Sequence, residues 1–504
     1  MNRAKWIAVV GLALVPFHLS LPCTIFSVAH GRKVLVGNNE DASYSFPDKM
    51  WFVPAIDRAH ARICFGWYCF AQGGMNDQGL FMDWAVTPNA GKKSDKPPFE
   101  GNIVERVLAN CATVEEAVTL FRKYAYPGND AHFLIADRAG SSVVGEWIDG
   151  QFKPVRKSGP YQLITNFLLS DPQRGNYPCS RHATASKMLD NSGKVTVQDC
   201  AAMLKATSAD WTDGDSRGGT KYSNVFDLAN REIYVYYRRN FDKPIRINLA
   251  KELRKGLREV DLKDAFEKGL ENLDVPRKTT AKSKSADQIL RDAVEARGGR
   301  AAALRVQSFH ATGTADIGWD NPGPFEIFAL HPDKLRMTVN MKTLGKYDTG
   351  FDGRNAWQLL TNQPRRFLKD ELLAQMRDEA EFFAWFIDPR QYTPLGDATP
   401  TWFDDKECYA VRLSKKSRKE LTCYFDARTS LLTGLIESPR TPTGPTWRKM
   451  TFADYRAIEG FLFPTHITVQ GEDEDYKLTL RSIDINHVRD SAFSLSSESS
   501  NGRN

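Results

Sequence analysis

The sequence of 504 residues lacks the features that mark several specialised classes of protein. Its eight cysteines are too sparse for a disulfide-stapled scaffold, and no Cys/His cluster has zinc-finger spacing. After the first 22 residues, no apolar run reaches the roughly 20 residues of a membrane-spanning helix. The net charge is +6, but no dense block of lysine and arginine is interleaved with aromatics. We therefore expect a globular protein without a metal, a cofactor, a membrane span or a nucleic-acid partner.

Residues 1–22 have the pattern of a secretory signal peptide. Arg3 and Lys5 precede the apolar run WIAVVGLALV, which Pro16 interrupts. A charged start followed by a short apolar core is typical of export signals. The sequence thus predicts an exported protein, periplasmic or extracellular, whose folded part begins at Cys23.

Residues 23–265 mix short strand-like runs with helical ones. The runs TIFSVA and KVLVG are joined by HGR, which is a hairpin signal. Thr113 precedes a helical run and Glu116 follows three residues later, as in a capping box, and Thr196 opens a similar run. Hairpins intermixed with helices favour a layered α+β fold over a doubly wound parallel sheet.

The second half of the chain has a different pattern. Residues 266–285 contain the polar, basic stretch NLDVPRKTTAKSKS, which we interpret as a linker. Residues 286–490 open with a helical run and continue as strand-like runs such as PFEIFAL and KLRMTVNM, which predict one large antiparallel sheet with a helix or two packed on it. The Ser-rich segment 491–504 is expected to be a disordered tail.

The sequence does not decide whether two cysteines of the second half form a disulfide. Cys408 and Cys423 flank the turn-like stretch SKKSRK. They would form a disulfide if they faced each other across a hairpin of an exported protein. Two unpaired thiols in a strand pair are the alternative.

Cys23 stands where the export signal ends. If the signal is removed immediately before it, the chain starts with a free α-amine beside a thiol. That amine has an ordinary pKa of roughly 7.7–8.0, against about 8.5 for the thiol, so it can accept the thiol proton. One residue would then supply both nucleophile and general base. Such a site also needs a carboxylate beside the ammonium group and hydrogen-bond donors for the oxyanion.

Other roles for Cys23 compete with catalysis. A cysteine after a signal can carry a lipid anchor, or it can be merely structural. Pro22 stands where a lipidation site has a small residue, and it is equally unsuited to ordinary signal cleavage. An upstream cut followed by self-cleavage of the Pro22–Cys23 bond would resolve this difficulty. Lipidation and catalysis exclude each other, because lipidation blocks both thiol and amine.

The start of the folded part resembles a known family. Cys23-Thr24, the hairpin and GNNED at 37–41 resemble the choloylglycine hydrolase and penicillin V acylase family of N-terminal-nucleophile amide hydrolases. Wider relatives include the acyl-coenzyme A:6-aminopenicillanic acid acyltransferases. Further resembling stretches follow in family order: GGMNDQGLFM at 73–82, ITN at 164–166, CSRHATASKML at 179–189 and KYSNVFDLANREIYVYY at 221–237. The resemblance covers residues 23 to about 240 and implies an αββα sandwich.

The resemblance implies a set of catalytic residues. Cys23 matches the nucleophile, and Asp41, the last residue of GNNED, matches the carboxylate near the α-amine. Asn166 matches an oxyanion donor that acts through its side-chain amide. Arg181 matches an arginine that supports the nucleophile.

Two departures from the family concern substrate binding. Asn38 stands where the family usually has arginine, and the stretch DWAV at 83–86 lacks an asparagine that often serves as a second oxyanion donor. A backbone N–H near Val86 is the substitute we expect. Trp84 is either part of an acyl pocket or an ordinary core aromatic.

Residues 286–490 resemble the outer-membrane lipoprotein carrier superfamily. The resembling stretches are AVEARGG, GKYDTGFDGRNAW, CYFDARTSLLTGL and DYRAIEGFLFP. This resemblance implies a curved antiparallel sheet wrapped over helices, whose concave face would hold an acyl lipid. A plain accessory or partner-binding domain is the alternative.

These observations together predict an exported amidase. It would hydrolyse linear C–N amide bonds of small N-acyl substrates through a Cys23 thioester. N-acyl amino acids, acyl homoserine lactones, bile-salt-like amides, penicillin V and short peptides are candidate substrates. A lipid- or lipoprotein-binding carrier with an inactive hydrolase half is one alternative, and an acyltransferase to an amine acceptor is another.

Overall fold

The computed structural model describes residues 23–494 with short gaps. The gaps are 100, 129, 191–194, 274–277, 318–321, 343–344, 362, 386–391, 416–418 and 473. The chain divides near residue 276 into two compact units, and the division lies within the predicted 266–285 linker. Short helices occupy the start of that segment.

The first unit is built from antiparallel strands and short helices. Its strands are β1 (Thr24–His30), β2 (Lys33–Ser43), β3 (Asp48–Val53), β4 (Arg62–Trp67), β5 (Phe70–Asn76), β6 (Leu80–Val86), β7 (Ala131–Asp137), β8 (Ser142–Ile148), β9 (Gln151–Arg156), β10 (Tyr161–Ile164), β11 (Asp210–Asp213), β12 (Ser216–Asp227), β13 (Glu232–Tyr237), β14 (Asn240–Asn248) and β15 (Arg258–Asp261). Its helices are α1 (Ile103–Asn110), α2 (Val114–Lys123), α3 (Ser180–Asp190), α4 (Val197–Ala206), α5 (Leu249–Leu253), α6 (Leu262–Lys268) and α7 (Leu270–Leu273).

The strands of this unit form two sheets. One has the order β10-β1-β2-β12-β13-β14, with β11 paired to β12, and the other has the order β15-β3-β4-β5-β6-β7-β8-β9. The first hairpin, β1–β2, turns at Gly31, whose φ of +60° suits glycine. Its register pairs His30 with Lys33 and Thr24 with Asn39.

The two sheets face each other across one apolar core, with helices on both outer faces. Ile25 and Val36 of the first sheet and Phe65 of the second belong to that shared core. On the outer face of the first sheet, Phe26 packs in a second cluster with α3 and α4. On the outer face of the second sheet, Phe121 of α2 lies 6.1 Å from Phe133 of β7 between ring centroids. The unit is therefore the αββα sandwich that the sequence predicted.

Helix starts in this unit follow the sequence signals. The Thr113 hydroxyl accepts a hydrogen bond from the Glu116 N–H at the start of α2. Thr196 and Asp199 form a reciprocal capping box at the start of α4. Each cap satisfies a backbone N–H that has no partner within the helix.

The second unit is one large antiparallel sheet with helices packed on it. Its helices are α8 (Ala286–Ala296), α9 (Gly299–Arg305) and α10 (Asp370–Trp385). The strand-forming segments of this half of the chain are β16 (Ser308–Asp316), β17 (Gly323–Leu330), β18 (Lys334–Met341), β19 (Gly345–Phe351), β20 (Ala356–Leu360), β21 (Arg366–Phe367), β22 (Thr393–Pro394), β23 (Thr399–Phe403), β24 (Lys406–Ser414), β25 (Glu420–Asp426), β26 (Leu432–Glu437), β27 (Arg440–Thr441), β28 (Gly444–Pro445), β29 (Arg448–Ile458), β30 (Phe461–Gly471) and β31 (Asp475–Ile485). Of these, β28 belongs to the first compact unit.

Within the described residues, fourteen of these strands join in one sheet. Its order is β21-β20-β19-β18-β17-β16-β31-β30-β29-β26-β25-β24-β22, with β23 paired to β24. Helix α8 buries Ile289 and Leu290 against it, and α9 buries Ala302 and Ala303. This arrangement agrees with the predicted antiparallel sheet domain. None of the described helices is long and apolar enough to cross a membrane.

Two details of the second unit bear on questions that the sequence raised: the state of Cys408 and Cys423, and the start of the predicted tail. The β24–β25 register pairs Cys423 with Val411 and Cys408 with Asp426, so the two thiols do not face each other and remain free. The segment predicted as a disordered tail, 491–504, begins in a 3₁₀ turn at Asp490–Phe493. That turn is ordered because Phe493 is buried, with 2% of its surface exposed. Residues 495–504 lie outside the described residues.

Candidate active site

Cys23 lies directly before β1, and only 4% of its surface is exposed. The β1–β2 register pairs Thr24 with Asn39, which places Cys23 opposite Glu40. Side chains alternate along a strand, so Cys23 and Ile25 face the core between the sheets. Glu40, across from Cys23, faces the same way. The thiol therefore lies inside the sandwich.

Polar contacts of Cys23 bring together three of the predicted catalytic residues. The Cys23 N–H donates to Asn166 Oδ1 at 3.1 Å. Arg181 Nη1 donates to the Cys23 carbonyl oxygen and, at 3.1 Å, to Thr24 Oγ1. Arg181 Nη2 donates to Asn166 Oδ1 at 2.7 Å. The guanidinium group thus links the backbone of Cys23 to the side chain of Asn166.

The fold places Asn166 and Arg181 at the two ends of one loop. Strand β10 pairs with β1, with Ile164 opposite Ile25, so Asn166 follows the strand end nearest Cys23. The loop then leads to α3, whose first turn carries Arg181. Their separation by fifteen residues in sequence therefore becomes direct contact in space.

The side-chain amide of Asn166 has a second protein contact. Its Nδ2 donates to the carbonyl oxygen of Val86 at 2.8 Å. A side-chain amide nitrogen carries two hydrogens, so this bond uses one of them. Val86, predicted as the region of a second oxyanion donor, thus lies beside Asn166 through its backbone.

Three buried carboxyl groups lie close enough to Cys23 to act on its thiol. Glu40, Asp41 and Asp83 expose 3%, 0% and 1% of their surfaces. Burial and then the charge of Asp83 raise the pKa of Glu40 well above its usual range, and burial does the same to the pKa of Asp83. Burial raises the pKa of the Cys23 thiol, and the nearby charges of Glu40 and Asp41 add to that rise.

Asp41 lies on the other face of β2 from Glu40. Thr220 is its partner across β12. Burial raises the pKa of Asp41 to about 7, although the nearby Thr220 side chain and the charges of Arg181 and Arg239 oppose the rise. The predicted carboxylate is therefore near the site, but its neighbour Glu40 has the larger electrostatic effect on the thiol.

Sequence reasoning missed Glu40, Asp83 and Tyr222. Tyr222 is the partner of Glu40 across β12, and its hydroxyl is buried without a hydrogen-bond partner among the described residues. Burial and the charges of Glu40 and Asp83 raise the pKa of Tyr222 well above its usual range. Alternation along β2 could have identified Glu40. Asp83 lies on the opposing sheet, and no local signal relates it to Cys23.

The three predicted substrate-binding residues occupy different environments. Asn38 lies two residues before Glu40 on the same face of β2, opposite Asn224, and its Oδ1 has no partner within the described part of the chain. Trp84 is adjacent to Asp83 in β6 and therefore faces the outer side of the sheet. Its ring lies 6.5 Å from that of Phe133, so the structure places it with the aromatics under α2.

Comparisons with known proteins match the two units separately. A family model described as acyl-coenzyme A:6-aminopenicillanic acid acyl-transferase matches residues 28–241. The penicillin V acylase from Agrobacterium tumefaciens is 19% identical, covering 48% of this chain and 91% of its own, with a TM-score of 0.39. The resemblance predicted for the first half is confirmed. A variant of the conjugated bile acid hydrolase from Clostridium perfringens is 17% identical, covering 47% of this chain and 97% of its own, with a TM-score of 0.40.

The second unit has its own structural relatives. A protein of the LolA superfamily from Nitrosomonas europaea is 15% identical, covering 42% of this chain and 99% of its own, with a TM-score of 0.29. No curated protein matches the chain.

Proposed function

We propose that this protein is an exported amidase that hydrolyses linear C–N amide bonds of small N-acyl substrates. Cys23 is its nucleophile and forms a thioester with the acyl group. One observation carries the proposal: the Cys23 N–H donates to Asn166 Oδ1, and Arg181 bonds to both residues. The nitrogen that would become the general base is therefore already held beside the thiol by Asn166, whose side chain Arg181 holds in turn.

The buried carboxyl groups support a free amine at Cys23. Glu40, Asp41 and Asp83 keep raised pKa values although the cations Lys221, Arg181 and Arg239 are close enough to lower some of them. Cleavage of the bond before Cys23 converts its amide nitrogen into an amine, which becomes an ammonium group on protonation. That cation would lower the pKa values of the carboxyl groups and offset part of their burial cost.

The positions of Cys23, Asn166 and Val86 define the steps of the proposed amide hydrolysis. The α-amine accepts the thiol proton, and the thiolate attacks the substrate carbonyl carbon. Asn166 Nδ2 and a backbone N–H near Val86 stabilise the oxyanion of the tetrahedral intermediate. The intermediate collapses to a Cys23 thioester while the ammonium group protonates the leaving amine. Water, deprotonated by the same α-amine, then releases the carboxylic acid and restores the thiol.

The remaining residues hold the geometry of this site. Arg181 bonds to the Cys23 carbonyl group and to the Asn166 side chain, and so holds the amine and the oxyanion donor at fixed positions relative to each other. Asp41 accompanies the ammonium group as a counter-charge. Asn38 borders the site in place of the arginine expected from the family, so we expect it to contact substrate through its amide and to impose no charge preference on it.

Acyl transfer is the second candidate, because the matching family model is described as an acyl-transferase. The same thioester would then be attacked by an amine acceptor in place of water. Products analysed with and without added amines separate the two reactions. A rise in N-acyl product at the expense of free acid would establish transfer.

A panel of N-acyl amides tests the proposal. Turnover by the mature protein is compared between the wild type and Cys23→Ala, with Cys200→Ala as a matched control for a buried cysteine of the same unit. We expect the first variant to lose all turnover and the control to retain it. Full activity in Cys23→Ala would refute a thiol mechanism.

A further inference from the structure

A buried histidine lies one residue away from the proposed oxyanion donor. His132 of β7 is completely buried, as is Glu146 of β8. His132 Nε2 lies 2.8 Å from the carbonyl oxygen of Thr165, and Nδ1 lies 3.2 Å from Glu146 Oε1. Thr165 is the residue before Asn166. The histidine therefore connects the second sheet to the peptide that carries Asn166.

Both ring nitrogens of His132 face oxygen acceptors. A carbonyl oxygen cannot donate a hydrogen bond, so Nε2 must carry a hydrogen. Nδ1 also needs a hydrogen if Glu146 is ionised. A ring that donates from both nitrogens is an imidazolium cation.

The other contacts of Glu146 indicate that it is ionised. Its Oε1 accepts from the Leu169 N–H at 2.7 Å, and its Oε2 accepts from the Ser170 N–H at 3.1 Å and from the Ser170 hydroxyl. Burial acts to raise the pKa of Glu146, but these donors and His132 together hold it below its usual range. Glu146 thus accepts at both oxygens, as a carboxylate does.

The same network fixes the loop that starts at Asn166. His132 holds the carbonyl of Thr165, and Glu146 holds the backbone of Leu169 and Ser170. Asn176 Nδ2 donates to the Asn166 carbonyl oxygen at 3.0 Å. Asn166 is thereby clamped on both sides of its own backbone, while its side chain contacts Cys23.

We propose that His132, held as an imidazolium by Glu146, is a positioning residue that fixes Asn166 against the Cys23 nitrogen and the substrate carbonyl. This inference rests on the proposed amidase function. His132 touches neither the thiol nor the substrate. It acts through the Thr165 carbonyl, so its loss would shift the oxyanion donor and leave the nucleophile in place.

Kinetics of His132→Gln and Glu146→Gln test this role in the full mature enzyme. Glutamine at 132 has a single donor atom, its amide nitrogen, which cannot reach the acceptors on both sides of the imidazole ring. Misplacing a catalytic group by about 1 Å costs on the order of 100-fold in rate, so we expect kcat to fall by about 10- to 100-fold with KM changed less than about 3-fold. His60→Gln is the matched control, because His60 pairs with Asp77 in the same unit at a partly exposed position.

A spectroscopic readout is independent of activity. In protein with ¹⁵N-labelled histidine at pH 7, the signal that disappears in His132→Gln should show hydrogens on both ring nitrogens. A neutral ring in this signal would overturn the inference, and so would wild-type kcat in both variants. If His132→Gln does not fold, Glu146→Gln still decides, since the ring should then lose its imidazolium signature and kcat should fall. Loss of turnover in Cys23→Ala together with unchanged kcat in the other variants would refute the positioning role and leave the proposed function standing.

Discussion

The buried charges around Cys23 in the first unit behave differently from a buried charge cluster in the second unit. Around Cys23, the carboxyl groups of Glu40, Asp41 and Asp83 have raised pKa values, because burial outweighs the cations near them. They are acids in an environment that disfavours their charge. Such perturbed groups in one place are typical of functional sites.

The second unit buries a charge cluster with matched partners. Arg448 donates to Glu474 at 2.7 Å, to Glu437 at 3.2 Å and to Glu379 at 2.9 Å. Although burial acts to lower it, the charges of these carboxylates raise the pKa of Arg448 well above its usual range. Burial acts to raise the pKa of Glu437, but Lys415 and Arg448 hold it below its usual range.

The contrast separates a structural use of buried charge from a functional one. In the cluster of the second unit, each charge favours the ionised state of the others. The cluster therefore stabilises the sheet, and its carboxylates carry no proton that could be transferred. In the first unit the carboxyl groups lack a sufficient cation, which the α-ammonium of mature Cys23 would supply. Four changes test this difference.

The largest effect is expected for Cys23→Ala. Removing the nucleophile of a covalent mechanism costs on the order of 10⁴- to 10⁶-fold in kcat. The thermal midpoint should change little, because alanine fills most of the space of a small buried thiol. Steady-state kinetics and a thermal melt measure both quantities, and residual turnover within about tenfold of wild type would contradict the proposal.

Arg448→Met should lower the stability of the protein and leave kcat unchanged. Removing one partner from a buried ion cluster leaves uncompensated carboxylates and costs about 3–5 kcal/mol of unfolding free energy. Because the cluster belongs to the second unit, kcat should stay at the wild-type value below the unfolding transition. Arg246→Met is a control, since Arg246 pairs with Glu232 but is 63% exposed, and its loss should cost less than about 1 kcal/mol. Equal destabilisation by both variants would contradict the distinction between a buried ion cluster and an exposed ion pair.

Asn166→Ala should reduce kcat without removing the nucleophile. Loss of one oxyanion donor costs about 10²- to 10³-fold in kcat. Part of the loss comes from releasing the Cys23 nitrogen, which Asn166 Oδ1 holds at 3.1 Å. Thioester formation, followed by intact mass at short times, should be slowed to the same extent. A wild-type rate would exclude Asn166 from the site.

The smallest effect concerns the pH dependence of stability. Native Asp41 has its pKa raised to about 7 from an ordinary value of 3.8, so the native state binds a proton that the unfolded chain releases. This contribution to stability is present at low pH and is lost as pH rises through 7. In Cys23→Ala protein made with the residues before position 23 still attached, unfolding free energy should fall by about 2 kcal/mol between pH 5 and 7 because of this group.

Asp41→Asn removes that titration. Denaturant melts at the two pH values should show a decline smaller by about 2 kcal/mol than in the parent. An unchanged decline would mean that Asp41 is already ionised in the unprocessed chain. It would then contradict the argument that the carboxyl groups need the α-ammonium of Cys23 to ionise.

The sequence predicted much of this architecture because the determining signals are local. Alternating runs, glycine turns and threonine caps define the strands and helices. The family resemblance carried by the order of short stretches implied Asn166 and Arg181 as partners of Cys23. Glu40 could have been predicted as a site residue, since the pairing of β1 with β2 places it opposite Cys23. The residues of GNNED continue strand β2, so the alternation of its side chains extends through Glu40.

Other parts of the site could not be read from the sequence. Asp83 approaches Glu40 only because two sheets pack face to face, and His132 meets Thr165 only through the same packing. Trp84 was one candidate for an acyl pocket, but strand alternation turns it to the outer face beside Phe133. Such relations depend on contacts between distant strands, which periodicity within one strand does not encode.

The intact mass of the mature protein, quenched with acid during turnover of an N-acyl amide, tests the central claim most directly. We expect a chain that begins at Cys23 and carries one acyl group, which hydroxylamine removes and Cys23→Ala lacks. A chain that begins elsewhere, or whose Cys23 carries a lipid, would contradict the account.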